Sequence, residues 1–361
     1  MKICYLADIN SAHTHKWLNY FEGKGYDIHV ISLGKGEYEG VTVHSLDIQD
    51  NIMKKSSEKG KLQYLKRVKK VRQLIKDINP DILHAHYASS YGLLGALANY
   101  HPYIISVWGS DVYDFPIKSF IHKYIIKYNL KKADYILSTS KVMKKETQKY
   151  TKKDIMVTPF GVDISKFVPK KIEKDEITIG TIKTLEEKYG IQYLVKAFKV
   201  IKDRNPEANI KLRIGGKGSQ EGYLKELTKE LKISDDVTFL GFVDKNNVVK
   251  EFQNFDIAVF PSTLDSESFG VAAVEAEACG TPVVVSDVGG LMESTNPGLT
   301  SLVAKKNSVE DLADKIEKLV VDGELRLKMG KEARKFVEDN YSLEDNFNDV
   351  NKLYEKIINN I

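Results

Sequence analysis

Two glutamates, Glu267 and Glu275, stand with seven residues between them, a glycine among these, in the segment PSTLDSESFGVAAVEAEACGTPVVVSDVGG, residues 261–290. The pattern places Glu267 just after a strand, Phe269 and Gly270 at a turn, and Glu275 inside the helix that follows. A helix start offers unpaired backbone N–H groups and the positive end of the helix dipole. Gly270 and Val271 can therefore donate to a diphosphate, with glycine permitting close approach. A carboxylate accepts two hydrogen bonds at once, which suits the vicinal hydroxyls of a ribose for Glu275 and the hydroxyls of a bound sugar for Glu267. Taken singly, the two acids read as a helix cap and a solvated surface group; the surrounding segment is what favours a site.

The elements that must hold such a turn are legible as an alternation. Short apolar runs rich in Val, Ile and Tyr, at 2–7, 27–32, 41–46, 81–86, 103–107, 134–139 and 155–158, alternate with longer segments of helical period. This is the signature of βαβ units and a parallel sheet. A charged, Pro-containing stretch at 166–176 reads as a linker. A second series of strands follows at 177–182, 210–215, 237–240, 257–261, 282–286 and 302–304, with helices at 191–202 and 220–231 among them. The tail, 309–361, is helical in pattern almost throughout. The expected fold is α/β, with two Rossmann-like doubly wound parallel-sheet domains: 1–168, joined by a C-terminal helix at 345–361 that crosses back, and 169–344. Ligands of open α/β sheets bind beyond the carboxyl ends of the strands, so the site is expected in a central cleft that the two domains face.

Composition narrows the classes. The 361 residues exceed what one hydrophobic core usually supports, and 42% hydrophobic with 29% charged residues matches a folded soluble chain. The start, MKICYLAD, lacks a secretory pattern, and no apolar run is long enough to span a bilayer. Cys4 and Cys279 are too few and too far apart for a disulfide framework or a metal knuckle, so both are expected to be buried thiols in a reducing cytoplasm. Residues 1–165 carry 25 Lys or Arg against 16 Asp or Glu, which makes the front half basic within a net charge of +4. The excess gathers at 54–76, 118–132 and 141–153. The middle segment, KSFIHKYIIKYNLKK, interleaves lysines with Phe120, Ile121, Tyr124, Ile125, Ile126 and Tyr128. That pattern fits a core-packing helix with a solvated lysine face or an interfacial helix on an anionic membrane. No nucleic-acid-binding motif accompanies the charge, so nucleic acid is not an expected partner.

At the Glu267–Glu275 segment the chain resembles the E-x7-E region of family 4 retaining glycosyltransferases of the GT-B fold, with Ser268 for the usual glycine and Glu277 for the usual methionine. The resemblance runs over essentially the whole chain. DILHAHYASSYGLLGAL, SVWGSDVYDFP, ADYILSTS and VTPFGVDISKF are similar to the family's strand-end motifs in the first half, the last with Phe160 for Asn. IGTIKTLEEKYGIQYLVKAF, IGGKGSQEGYL and VTFLGFV are similar to those of the second. The resemblance implies that Lys183 and Lys188, in the setting that begins at Gly180, bind the donor diphosphate. Lys183 stands where the family has arginine, keeping a point charge without the planar two-pronged donor. It further implies that the backbone of Phe242 and Val243 meets the nucleotide base and that the turn from Gly215 to Gly218 lines the cleft. In the first half Asn10, Ser11 and His13 replace a glycine-rich loop on the acceptor side. Trp108 stands where the family commonly has a histidine near the sugar, leaving that contact to Asp111 or His13. His84 and His86, on one side of a strand, read as core histidines.

The activity implied is transfer of a sugar, with retention, from a nucleotide diphosphate donor to a hydroxyl acceptor. UDP-sugars are the first expectation and GDP-mannose the second. The acceptor is expected to be a glycan or a lipid-linked intermediate of bacterial or archaeal cell-envelope polysaccharide synthesis, met in the cytoplasm at the inner membrane face with peripheral contact to anionic lipid. No D-x-D triplet or metal-ligand spacing occurs, so activity without metal or cofactor is expected. A nucleotide-sugar epimerase of the same architecture and a non-catalytic sugar-nucleotide sensor remain the alternatives.

Overall fold

The computed structural model describes residues 1–48, 62–170, 172 and 174–359. The basic run 54–76 therefore lies outside the described residues as far as position 61, as do positions 171 and 173 of the linker. Two compact units emerge, Met1–Phe160 with Glu344–Ile361, and Gly161–Leu343.

Unit 1 is built on seven parallel strands: β1 (Lys2–Leu6), β2 (Asp27–Ser32), β3 (Thr42–Ser45), β4 (Ile82–His86), β5 (Tyr103–Val107), β6 (Tyr135–Ser138) and β7 (Ile155–Val157). Their order is β3-β2-β1-β4-β5-β6-β7. The order reverses between β1 and β4, which makes that edge the topological switch point. The central strands are buried on both faces, which is why ILHAH and YIISV are nearly continuous apolar runs rather than alternations. Helices α1 (Ala12–Glu22), α2 (Val68–Ile78), α3 (Ser90–Ala98), α4 (Phe120–Lys132) and α5 (Lys141–Thr147) cover the sheet. In α2 the buried positions Val71, Ile75 and Ile78 recur at helical spacing, one face sealing the core and the other carrying the charge.

Unit 2 has six parallel strands: β8 (Ile177–Ile182), β9 (Ile210–Gly215), β10 (Val237–Gly241), β11 (Ile257–Phe260), β12 (Val283–Ser286) and β13 (Ser301–Ala304). Their order is β10-β9-β8-β11-β12-β13, with the switch point between β8 and β11. Its helices are α6 (Ile191–Arg204), α7 (Glu221–Glu230), α8 (Val248–Asn254), α9 (Val271–Ala278), α10 (Gly289–Ser294), α11 (Val309–Val321) and α12 (Gly323–Asn340). Ser308 and Asp322 start α11 and α12 by accepting the N–H groups of Asp311 and Leu325.

The last helix, α13 (Leu343–Asn359), packs into unit 1. Phe347 meets Trp17 and Phe21, and the Tyr354 hydroxyl lies 2.5 Å from His84 Nδ1 and 3.4 Å from the Tyr5 hydroxyl. His84 Nε2 pairs with Ser106 Oγ at 2.8 Å. Burial lowers the His84 imidazole to a pKa of about 3, so the strand histidine is a neutral, hydrogen-bonded core residue.

Candidate active site

At the β8/β11 switch point two loops are stitched together. The loop after β8 runs through Lys183 and Lys188 to Gly190, and the loop after β11 runs from Pro261 to Gly270. The Lys188 carbonyl accepts from the Thr263 N–H at 2.8 Å and from the Thr263 hydroxyl at 3.1 Å. Neighbouring loops brace the first. Lys183 N–H donates to Gly215 O at 2.9 Å, Leu185 N–H donates to Lys217 O at 3.0 Å, and the Glu186 carboxylate accepts both N–H and hydroxyl of Ser219. The Gly215–Gly218 turn is thus a buttress of the lysine loop.

Gly270 caps α9 in the left-handed region at φ 75° and, as glycine, brings no side-chain cap of its own. A Cβ there would lie 2.5 Å from Leu291 Cδ2, so both conformation and space call for glycine. Gly290, in α10, presses on the same turn: a Cβ would sit 2.2 Å from the Glu267 carbonyl oxygen. The entrance to α9 is therefore held rigidly while its cap residue brings no side chain to the N–H end, the arrangement that attracts an anion.

Around that entrance the charges are arranged unequally. Lys183 Nζ lies 2.7 Å from Glu267 Oε2, and both side chains are largely buried, at 19% and 10% exposure. Burial works to lower the Lys183 pKa, but the Glu267 carboxylate, Tyr189 and Glu275 outweigh it, so the ammonium is held above its ordinary value and stays charged. Tyr189 lies between the two lysines, with Lys183 Nζ 4.6 Å and Lys188 Nζ 5.1 Å from its ring centroid. Among the described residues no carboxylate lies within ion-pair distance of Lys188. Glu275 sits one turn into α9, half-buried and close enough to act on Lys183 electrostatically. Glu267, Glu275, Lys183, Lys188, Gly270 and Val271 are thus brought to one crevice of unit 2.

Other expected residues have different work. Gly180 is inside β8, and a Cβ would strike the Phe255 ring at 2.3 Å, so the missing side chain serves packing. Gly215 likewise makes room for Val243 Cγ2, 2.9 Å from a built Cβ. The Phe269 ring is buried against Tyr341 at 5.2 Å, so only its backbone faces the turn. Phe242, on the loop after β10, is 72% exposed. In unit 1 Asp111 is fully buried and its carboxylate is engaged by its own loops. Oδ2 accepts Ala88 N–H at 2.7 Å, and Oδ1 accepts Gly109 N–H at 2.8 Å and Trp108 N–H at 3.2 Å. Burial raises its pKa against the pull of those donors. Asp111 ties the loops after β4 and β5.

The unit 1 switch point is lined by rings. His13 stacks on Phe160 at 4.3 Å and meets Trp108 edge-on at 5.8 Å. Asn10, exposed, donates to Lys35 O at 2.9 Å, and Ser11 precedes α1 without capping it by its side chain. Beneath them His86, 1% exposed and without a hydrogen-bond partner among the described residues, packs against Trp108 at 4.7 Å. Burial and the neighbouring His84 and His13 depress its pKa well below the ordinary value, leaving it neutral. Tyr189, Thr263 and Gly290 escaped the sequence reading. Only Tyr189 left a signal, as the aromatic between Lys188 and Gly190.

Comparison with known proteins now decides the family. Residues 2–140 match the model described as "Glycosyl transferase 4-like", and residues 163–336 the model "Glycosyl transferases group 1". The chain belongs to the GT-B glycosyltransferases. A glycosyltransferase of Methanocaldococcus jannaschii is 28% identical, over 92% of this chain and 91% of its own. Among solved structures, sucrose-phosphate synthase from Thermosynechococcus elongatus superposes with a TM-score of 0.88 at 18% identity over the full length of both chains. Anabaena HepE in complex with UDP-glucose gives 0.80 at 18% identity, also over the full length of both. These likenesses establish the GT-B fold for this glycosyltransferase. Among its described residues no group of three or more His, Cys, Asp or Glu is placed to hold a metal ion, and no helix is long and apolar enough to cross a membrane.

Proposed function

We propose that this glycosyltransferase moves a sugar, with retention of anomeric configuration, from a UDP-sugar to a hydroxyl of a glycan or lipid-linked intermediate of cell-envelope polysaccharide synthesis. The observation that carries the reading is the glycine-started helix at Gly270 with Lys188 on a loop hydrogen-bonded to the one leading into it. Breaking the anomeric bond develops negative charge on the departing diphosphate. Donors fixed where that charge appears lower the barrier by about 2.7 to 4 kcal/mol each, by analogy with oxyanion donors. The N–H groups of Gly270 and Val271 and the Lys188 ammonium are those donors. Lys183, already paired with Glu267, holds that carboxylate toward the sugar hydroxyls and adds positive charge to the crevice. Glu275 accepts from the ribose hydroxyls. The HepE complex with UDP-glucose supports UDP over GDP as the nucleotide.

On this reading the diphosphate oxygens assist removal of the acceptor proton, and the ammonium with the helix start supplies the positive charge a metal would otherwise bring. Turnover is therefore expected in excess EDTA. The deciding experiment is a thermal shift with UDP and GDP on the wild type and Glu275→Ala, followed by mass spectrometry of a UDP-sugar incubated with and without acceptor. A UDP-induced shift that Glu275→Ala loses, with transfer only when acceptor is added, supports the proposal. An undiminished shift in the variant, or conversion of the donor to its epimer with no acceptor present, overturns it.

A further inference from the structure

Helix α4 in unit 1 carries more apolar surface than its packing uses. Its core face is spent: Ile126, Asn129 and Leu130 are buried, and Asn129 Nδ2 donates to Ala88 O at 2.8 Å. The opposite stripe runs Phe120, Tyr124, Lys127, Lys131 at helical spacing, all exposed, apolar at the helix start and cationic toward its end. Phe120 is 82%, Tyr124 69% and Ile121 54% exposed, and Ile117 on the approach to the helix is 77% exposed. Isolated exposed apolar side chains are ordinary, but here four cluster within two turns, a concentration that marks an interaction surface.

The charge pattern says what covers it. From 115 to 133 the sequence holds five lysines and no acidic residue, and Lys118 and Lys123 flank the apolar end. A second copy meeting this patch through a two-fold axis would set lysine against lysine. An anionic bilayer instead accepts Phe, Ile and Tyr at its interface and draws the lysines to its headgroups. The position fits as well. The helix begins where the loop from β5 ends, so its apolar start lies at the carboxyl edge of the sheet, the edge that carries His13 and Trp108.

We infer that the start of α4 is a membrane-docking surface that seats unit 1 on anionic lipid, with Phe120, Ile121, Tyr124 and Ile117 entering the interface and Lys118, Lys123 and Lys127 meeting the headgroups. The inference rests on the proposed lipid-linked acceptor for its purpose and on these side chains for its evidence.

The test is co-sedimentation of the full-length protein with phosphatidylcholine vesicles with and without phosphatidylglycerol, alongside a UDP thermal shift on every sample. Wild type is expected to sediment with the anionic vesicles and scarcely with the neutral ones. Phe120→Ser/Ile121→Ser/Tyr124→Ser is expected to bind at least about tenfold more weakly, and each of Lys118→Gln, Lys123→Gln and Lys127→Gln roughly fivefold more weakly, with UDP shifts unchanged. Equal sedimentation of the triple variant, or no sedimentation of the wild type with anionic vesicles, overturns the inference. So does a concentration-dependent dimer that the triple variant abolishes. Vesicle binding that responds as expected while UDP produces no shift in any sample would sink the donor-site proposal and leave this one standing.

Discussion

Units 1 and 2 share the order of their first six strands, unit 1 adding a seventh, and have opposite switch points. Between β8 and β11 the crevice is charged: a Lys183–Glu267 pair, Lys188 beside Tyr189, Glu275, and a glycine-capped helix start. Between β1 and β4 it is filled with rings, His13 on Phe160 and Trp108, over a neutral buried His86, and the buried carboxylate beside them, Asp111, accepts from backbone N–H groups. The same strand order therefore delivers loops to the same place without deciding their chemistry, and the residues on those loops do the rest. A phosphate-bearing ligand suits the first crevice, while the second offers apolar and aromatic contact.

Variants break or sharpen this contrast. The largest effect belongs to Lys188→Ala, expected to lower kcat/KM by on the order of 100-fold or more while the melting temperature stays near that of the wild type, since the ammonium is spent on no ion pair among the described residues. Wild-type turnover in that variant would remove the charged crevice from the reaction. The next probe is Glu277, one face away from Glu275. It is fully buried, with Oε1 2.6 Å from Thr300 Oγ1 and Oε2 without a hydrogen-bond partner among the described residues. Burial, opposed by the Thr300 hydrogen bond, lifts its pKa from the ordinary 4.5 to about 8. The folded state thus keeps a proton that the unfolded chain has released, and wild-type stability contributed by that proton is lost as pH rises through this window. The melting temperature of Glu277→Gln relative to wild type should climb between pH 4.5 and about 8 and then level off. Parallel curves would show that Glu277 does not titrate there.

Smaller effects are expected in unit 1, where the polar groups hold loops together. Asp111→Asn presents an amide to several N–H donors, and chemical denaturation should record a loss of about 1.5 to 3 kcal/mol, with the UDP shift of folded protein retained. Loss of UDP binding without loss of stability would place Asp111 among the binding groups. Tyr354→Phe leaves His84 Nδ1 without its partner and should cost about 1 kcal/mol. An unchanged midpoint would mean that packing alone seats α13.

Much of the fold is written in local pattern. The strands at 27–32, 103–107, 177–182 and 210–215 are legible to the residue, β5 because a parallel strand buried on both faces is apolar nearly throughout and β9 because its Ile and Leu alternate with half-buried Lys211 and Arg213. The edge strand β3 shrinks from the expected 41–46 to Thr42–Ser45, since an edge buries less and signals less. Gly270 and the helix after it are likewise local features, as are the acids framing them. Partnership is not local. Lys183 meets Glu267 across 84 positions of chain, Phe255 claims the space above Gly180, and Asp111 spends its carboxylate on a loop from another strand. By itself the sequence determined the periodicities, the βαβ alternation and the supply of charged side chains near a helix start. Only the tertiary structure decided which of those charges are already paired and which remain to meet a ligand, because pairing depends on distances set by packing, and packing joins residues that no local spacing connects.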